Sequence, residues 1–309
     1  DKYDTFITIT SSFAKFIKVK PSTKHICILL TPTRFLWSHQ NEYLPSSIKH
    51  LIEPLMPKLK KWDFSTAQKP DVIFSISEHI QKRVKKYYKR DSELLYPPFD
   101  SAYWKKVKNQ ISSKKFKPNF YFIPKKEYFL VVNRLESYKK TELVLQLFKQ
   151  LKRPLIVIGS GSQEKKLERM AEANVLLLKN LSDSEVAYLY TYARALIMPQ
   201  NEDFGYTSIE AQFFGCPVIS YKNSGAAETI INKKTGILFD QQTVKSLSSA
   251  IERLKSIPYN ERNESDYLRR RSWNKTLATF KKKVSEAVRK NSRRSINAST
   301  HRAKAHPRV

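Results

Sequence analysis

The stretch NEDFGYTSIEAQFFGCPVISY, residues 201–221, decides the fold. Pro199 closes an apolar strand before it, and the loop that follows carries Glu202. A short helix comes next, which Gly215 can end in a left-handed turn, and Val218–Tyr221 is predicted as another strand. In open α/β sheets, ligands bind where a strand ends and a helix begins. The stretch therefore predicts a ligand site at the edge of a parallel sheet.

Strands and helices alternate along the second half of the chain, which predicts a doubly wound parallel sheet with helices on both faces. Ser182 and Glu185 form a capping box at one of these helices. The predicted strands here are Tyr128–Val132, Leu155–Ile158, Val175–Leu178, Ala195–Met198 and Gly236–Phe239. The first half contains fewer such units, with predicted strands at Thr5–Thr10, Ile26–Leu30, Asp71–Ser77 and Glu93–Tyr96.

We predict two α/β domains from this pattern. The Pro97-Pro98 pair and a lysine-rich run separate them. The predicted division is a first domain over 1–104, a linker over 105–118, a second domain over 119–257, C-terminal helices over 258–290 and a basic disordered tail over 291–309.

The chain is strongly basic, with 57 Lys and Arg against 28 Asp and Glu, a formal charge of +29. Such a field favours phosphorylated ligands, anionic membranes or nucleic acid. Residues 281–309 hold ten Lys or Arg and one Glu, which suits contact with an anionic inner membrane face. A solvated tail or a non-native reading-frame extension is the alternative. Cys27 and Cys216 each lie beside an apolar strand and are expected to be buried thiols in a reducing cytoplasm.

Three predicted loops should meet at one edge of the second sheet. They carry Arg134 and Lys139, the Gly159 turn, and Glu202 with Glu210. The two cations would pair with a diphosphate and stabilise its charge as it leaves. The carboxylates would accept hydrogen bonds from hydroxyls, Glu202 from the transferred sugar and Glu210 from the ribose. Together these residues indicate a nucleotide-sugar site.

Each residue has a simpler interpretation when taken alone. Arg134 and Lys139 could belong to a solvated loop, Gly159 to a plain turn, and Glu210 to a helix surface. Only their placement at the ends of neighbouring strands favours a shared site. No Asp-x-Asp pair or histidine cluster appears in the sequence, so we expect no metal and no cofactor beyond the sugar donor.

These motifs resemble those of the retaining glycosyltransferases of family 4, which have the GT-B fold of two Rossmann-like domains facing a cleft. Residues 202–210 resemble the E-x7-E motif of that family. Residues 133–139 are similar to its donor-phosphate segment, and residues 224–228 to its glycine loop, with Ala226 where a second glycine is usual.

The first half is similar to the branch that contains O-antigen mannosyltransferases, through HICILLTPTRFLW at residues 25–37 and YYKRDSELLYPPFD at residues 87–100. The resemblance implies transfer of a sugar, mannose being one candidate, from a nucleoside diphosphate to a glycan or lipid-linked acceptor in cell-surface polysaccharide synthesis. It gives Arg134, Lys139 and Glu202 catalytic roles. It places backbone N–H groups near Phe204 and Gly205 at the sugar, and the base near Leu178 and Leu181.

Two departures from the family pattern qualify this expectation. Leu30 stands where the family has a histidine that faces the reacting sugar. The opening strand and Gly-rich loop of the family are missing, so we expect a truncated acceptor-side domain. A remnant that binds the donor without turnover is therefore an alternative. A basic nucleic-acid-binding protein is another, although we find no recognition motif.

Overall fold

We analysed a computed structural model of the chain, which describes residues 3–38, 40, 51–120, 128–256 and 274–286. Two parallel sheets organise these residues, one of four strands and one of six. This architecture agrees with the predicted two-domain α/β fold.

The first sheet has its strands in chain order, all parallel. Its strands are β1 (Thr5–Thr10), β2 (Lys24–Leu29), β3 (Val72–Ser75) and β4 (Glu93–Leu94), and its helices include α1 (Arg34–Trp37), α2 (Met56–Ala67) and α3 (Glu78–Tyr88). The side chain of Ser77 caps α3 by accepting a hydrogen bond from the N–H of Ile80, and this fixes where the helix begins.

The connection between the sheets is partly helical. Helix α4 (Ser101–Ser112) covers most of the stretch 105–118 that the sequence predicted as a linker. Asp100 caps this helix through the N–H of Tyr103, and Val107 is buried on its inner face. The lysines of the run lie on the outer face, which explains why composition alone indicated a solvated connection.

The second sheet is doubly wound, with strand order β10-β9-β8-β5-β6-β7. Its strands are β5 (Phe129–Val132), β6 (Leu155–Ile158), β7 (Val175–Leu178), β8 (Ala195–Met198), β9 (Val218–Tyr221) and β10 (Gly236–Phe239). The intervening helices are α5 (Thr141–Leu151), α6 (Glu164–Met170), α7 (Asp183–Tyr192), α8 (Tyr206–Phe213) and α9 (Val244–Arg253). Strands β5 and β8 are neighbours although β6 and β7 separate them in sequence, so the order of the strands reverses beside β5.

Both faces of the second sheet are buried, which explains its continuous apolar strands. Alternate residues enter two separate cores. Leu130 and Leu196 face one core, while Phe129 and Ile197 face the other. The first of these cores continues into the four-stranded sheet through residues such as Ile80. The two domains therefore share buried apolar surface.

The described part of the predicted C-terminal helices is α10, residues 274–286. It returns to the first sheet, where the rings of Phe280 and Phe74 lie 6.2 Å apart and Lys283 pairs with Glu93 at 2.9 Å. The predicted tail over 291–309 lies outside the described residues. Among the described helices, none has the length and apolarity needed to cross a bilayer.

Candidate active site in the cleft between the sheets

Lys139 and Glu202 meet at the edge of the second sheet. Lys139 lies in the short turn after β5, Glu202 lies in the loop after β8, and the two strands are adjacent. The Nζ of Lys139 donates a hydrogen bond to Oε1 of Glu202. Gln200 Nε2 donates to the same oxygen at 3.0 Å. The strand order therefore brings together a cation and a carboxylate that lie 63 residues apart in the chain.

The positive charge of Lys139 stabilises the negative charge of Glu202, although both side chains are largely buried. Burial raises the pKa of the Glu202 carboxyl, but the charge and hydrogen bond of Lys139, with help from Gln200, outweigh it and leave that pKa below its ordinary value. Glu202 is therefore ionised near neutral pH. Lys139 is only 9% exposed, so the pair is largely shielded from solvent.

Arg134 lies at the rim of this site, on the same loop as Lys139. Its side chain is exposed, and Nη2 donates to the hydroxyl of Tyr138 at 2.8 Å. The guanidinium therefore extends along the loop toward solvent instead of joining the buried pair.

Gly159 packs against the loop that carries Arg134. A Cβ at Gly159 would lie 1.9 Å from the carbonyl oxygen of Asn133, so only glycine permits this approach. The N–H of Gly159 donates to the carbonyl of Leu178 at 3.0 Å. Leu178 and Leu181 are half-buried and pack on the core. The loops after β5, β6 and β7 are therefore neighbours at one edge.

Glu210 has a different environment from Glu202. It lies on α8, and its Oε2 accepts a hydrogen bond from the hydroxyl of Tyr190 at 3.5 Å. Burial, together with the nearby charge of Asp183, raises the pKa of Glu210 to about 7. The hydrogen-bond partner and the acidic neighbour of Glu210 thus lie on α7, the helix that follows Leu181.

Phe204 and Gly205 form the turn into α8. Gly205 has φ of +85°, and a Cβ there would lie 2.7 Å from Cβ of Ala226. Phe204 is buried, with Tyr206 at 5.1 Å and Tyr96 at 6.4 Å between ring centroids. The turn is therefore fixed on both sides. The 224–228 loop packs on one side, and aromatic side chains, including Tyr96 just before Pro97, pack on the other.

Asp203, which the sequence analysis did not single out, links this loop to the first domain. Its Oδ1 accepts from Arg83 Nη1 at 2.7 Å, and its Oδ2 accepts from Arg34 Nη2. Ser77 Oγ donates to the Asp203 carbonyl at 2.6 Å. The signal for this contact was Arg34 within the TPTRFLW segment, an arginine to which we had assigned no role.

Glu228 makes a second link between the domains. Its carboxylate accepts hydrogen bonds from the N–H groups of Glu78 and His79 at 2.9 and 2.7 Å, and from the hydroxyl of Tyr96 at 2.9 Å. These N–H groups belong to the first turn of α3, where backbone N–H groups have no partner within the helix itself. Burial raises the pKa of Glu228, and the three hydrogen bonds oppose that rise. A side chain of the second domain thus caps a helix of the first.

A buried network holds α1, and with it Arg34, in position. Its centre is Asp63 on α2, which is fully buried. Four side chains donate to the Asp63 carboxylate at 2.6 to 2.9 Å, namely Lys15, Thr33, Trp37 and Tyr88. Two of these donors flank Arg34 in sequence, so the network fixes the segment from which Arg34 reaches Asp203.

Leu30 lines a second, apolar region of the cleft. It is 36% exposed and borders a cavity of about 700 Å³ whose lining also includes Phe204 and Phe280. Leucine offers no hydrogen bond at this position, where the family resemblance predicts a histidine.

The structure also bears on metal and thiol chemistry. In the ranges that it describes, no three His, Cys, Asp or Glu side chains gather in a way that could hold a metal ion. Cys27 and Cys216 are both free thiols in buried positions, as the sequence predicted.

Comparisons with known proteins agree with this architecture. The family described as Glycosyl transferases group 1 matches residues 112–271, more than half of the chain. Alpha-1,3/1,6-mannosyltransferase ALG2 of Dictyostelium discoideum is 24% identical over 84% of this chain and 69% of its own length. O-antigen chain mannosyltransferase C of Escherichia coli is 26% identical over 41% of this chain and 36% of its own length. The mouse ALG2 match spans only 44% of that protein.

Solved structures show the fold. A sucrose-phosphate synthase from Thermosynechococcus elongatus superposes with a TM-score of 0.65 at 17% identity, covering 85% of this chain and 68% of its own. Anabaena HepE in complex with UDP superposes with a TM-score of 0.61 at 14% identity, covering 85% of this chain and 72% of its own. The predicted GT-B fold, with two Rossmann-like domains, is thereby confirmed.

Proposed function

The chain belongs to the group 1 glycosyl transferases, and from this membership we propose that it transfers a sugar from a nucleoside-diphosphate sugar to a glycan or lipid-linked acceptor. The observation that carries the proposal is the buried pair of Lys139 and Glu202 at the meeting point of two strand ends. A cation beside an ionised carboxylate can bind, in one place, a diphosphate oxygen and a sugar hydroxyl.

In this proposal each site residue has one task. Lys139 and the exposed Arg134 neutralise the diphosphate as the bond to the sugar breaks, because fixed positive groups stabilise charge that develops in the transition state. Glu202 accepts hydrogen bonds from the transferred sugar. Backbone N–H groups at Phe204 and Gly205 bind further hydroxyls, and Glu210 binds the ribose. The base lies over Leu178 and Leu181, beside Gly159.

The finer features of the reaction are also proposals. The resemblance to the retaining glycosyltransferases of family 4, through the E-x7-E spacing over residues 202–210, supports transfer with retention of anomeric configuration and without a metal. The relatives named as mannosyltransferases make mannose the first sugar to test. GDP and UDP are both candidates for the nucleotide, since a structural neighbour was solved with UDP. The basic segment 281–309 supports work in the cytoplasm at an anionic inner membrane face, on acceptors for cell-surface polysaccharide.

Isothermal titration with GDP, UDP and their sugars tests the donor site directly. We expect one nucleotide to bind, and Arg134→Ala and Lys139→Ala each to weaken binding at least about tenfold, since a charge-assisted hydrogen bond contributes about 1.5–3 kcal/mol. Arg169→Ala, which removes a charge from α6 away from the site, is the matched control. If the nucleotide binds all three variants as tightly as the parent chain, Arg134 and Lys139 do not form the donor site.

Turnover is tested separately, with the preferred sugar donor and a panel of glycosides. Proton NMR of the product gives its anomeric configuration, and added EDTA tests the need for a metal. A product of inverted configuration would contradict retention, and loss of activity in EDTA would contradict a metal-independent reaction.

A second candidate function is donor binding without turnover. It is favoured by Leu30, whose side chain lines an apolar cavity and cannot hydrogen-bond a reacting sugar. Under this alternative, nucleotide titration still succeeds but no sugar reaches any acceptor. Leu30→His then provides the decisive comparison, because gain of transfer activity would assign the defect to this one position.

A further inference from the structure

A second cleft, of about 630 Å³, lies between α3 of the first domain and the loops of the second. It is separate from the Lys139–Glu202 pair but adjoins it, since the neighbours Tyr138 and Asn201 line its wall. The α3 side presents one helical face, because its lining positions 79, 82, 83, 86 and 87 recur at spacings of three and four.

This cleft is strongly cationic. Lys82 and Lys86 of α3 face Lys140 of the second domain, and none of its lining residues is acidic. All three lysines are exposed. Among the residues that the structure describes, Arg83 is ion-paired with Asp203, and no carboxylate lies within ion-pair distance of the three lysines. Lys82 and Lys86 lie four residues apart, where like charges destabilise a helix slightly, although Lys86 is in the last turn of α3, where the helix dipole favours a cation.

The remaining walls suit a sugar ring. The rings of Trp37 and Tyr87 stack with centroids 5.3 Å apart, and both line the cleft beside the side-chain amides of Asn223 and Gln242. Aromatic surface combined with a few neutral polar groups is typical of small-molecule sites. Lysines add binding strength for phosphate as point charges. The cleft therefore combines features that recognise a saccharide and features that recognise a phosphate.

We infer that this cleft binds a phosphorylated saccharide, and that its phosphate lies among Lys82, Lys86 and Lys140. Naming this ligand the acceptor rests on the proposed function, because the cleft adjoins the loop of Glu202 while the donor diphosphate has its own cations. The phosphate can belong to a free sugar phosphate or to a lipid-linked saccharide. Both present the same group to the three lysines.

Titration of the full chain with mannose 6-phosphate tests the site, with methyl mannoside as the unphosphorylated probe. A third probe, a farnesyl-linked mannosyl phosphate in detergent micelles, distinguishes the two sources. We expect Lys82→Gln/Lys86→Gln to weaken binding of the phosphorylated probe at least about tenfold, because two charge-assisted contacts are removed. Tighter binding of the farnesyl probe than of the free sugar phosphate supports a lipid-linked ligand, and equal binding supports a soluble one.

The matched control is Lys105→Gln/Lys106→Gln, which removes two exposed lysines from α4, outside the cleft. It should bind the phosphorylated probe as the parent chain does. Circular dichroism of both double variants verifies that α3 and α4 remain folded. Equal losses in the two double variants would overturn the inference, since general charge would then explain binding. Equal binding of methyl mannoside and the phosphorylated probes would overturn it as well.

Failure of this inference can be told from failure of the proposed function. The nucleotide should bind Lys82→Gln/Lys86→Gln within about twofold of the parent, since these lysines lie outside the donor site. Binding of the phosphorylated saccharide without binding of any nucleotide would support the cleft assignment and contradict the proposed donor site. Binding of the nucleotide without binding of either phosphorylated probe would contradict the cleft assignment and leave the donor site supported.

Discussion

Arg83 and Asp203 join the two domains through a 2.7 Å hydrogen bond between Nη1 and Oδ1. Arg34 binds the other carboxylate oxygen. Both carboxylate oxygens of Asp203 thus bind first-domain cations, while the preceding residue, Glu202, binds Lys139 of the second domain. The loop that we assign to the sugar is therefore held from both sides of the cleft.

Asp203→Asn should destabilise the protein by about 3–5 kcal/mol, because it leaves two arginines beside a neutral partner in a largely buried place. Urea unfolding followed by circular dichroism measures this change. Asp240→Asn is the control, since Asp240 pairs with Lys222 on the open surface, where an ion pair contributes about 1 kcal/mol or less. Similar losses in the two variants would contradict a special role for the interdomain link.

Lys139→Met should weaken nucleotide binding and also raise the pKa of Glu202, since Lys139 is the main group that lowers it against the effect of burial. Because Glu202 is assigned to the transferred sugar, affinity for the complete nucleotide-sugar should consequently fall more steeply toward low pH in this variant than in the parent chain. Titration at several pH values measures both effects. Lys149→Met, on an exposed part of α5 where the lysine pairs with Glu172, should leave affinity and its pH dependence unchanged.

Because of Glu210, we expect the free energy of unfolding to fall as the pH rises. Its pKa of about 7 in the folded chain exceeds the ordinary 4.5, so the folded state holds a proton that the unfolded state has lost. The stabilising contribution is complete below about pH 4.5 and disappears as the pH rises through about 7. Glu210→Gln should remove this slope from the free energy of unfolding, whereas Glu168→Gln on exposed α6 should retain it.

Nucleotide binding should depend on Glu210 in the opposite direction. An ionised carboxylate accepts both ribose hydroxyls, so affinity should increase as the pH rises through about 7. Glu210→Gln should bind more weakly at pH 8 and show a flatter profile. A parent chain whose affinity is constant between pH 6 and pH 8 would refute the ribose assignment.

Gly205→Ala should destabilise the loop through two separable effects. The left-handed backbone costs a residue with a Cβ about 1–2 kcal/mol, and the new methyl group would lie 2.7 Å from Cβ of Ala226. Ala226→Gly removes the second effect. We therefore expect the double variant Gly205→Ala/Ala226→Gly to recover part of the stability lost in the single variant, as measured by thermal unfolding. Additive losses would contradict the predicted clash.

Local patterns in the sequence were sufficient to predict the second domain. Its strands are continuous apolar runs, and one of its helices has a clear cap at Ser182, where Glu185 completes the capping box that the structure contains. The stretch 201–221 predicted the turn between β8 and α8 for the same reason, since glycine and proline mark its boundaries. The rule that parallel strands end at one edge predicted that the loops of Lys139 and Glu202 would meet, but it did not predict that the two side chains would pair with each other.

The contacts that join the domains could not be predicted in this way. Arg83 and Asp203 lie 120 residues apart, and no periodicity connects an arginine on one helix to an aspartate in a distant loop. The Asp63 network was hidden for a similar reason, since its donors come from separate segments between Lys15 and Tyr88. These donors come close to Asp63 only when the chain is folded. The hydrogen bond between Glu210 and Tyr190 likewise depends on how α8 packs against α7.

The cap that Glu228 places on α3 has a consequence for synthesis on the ribosome. Glu78 leaves the exit tunnel 150 residues before the carboxylate that its N–H group requires. In the nascent chain, the first turn of α3 therefore lacks the Glu228 cap and stays open to water until nearly all of the second domain has been translated. We expect the early half to be vulnerable to proteases during this interval, and the two halves to fold poorly when produced as separate polypeptides.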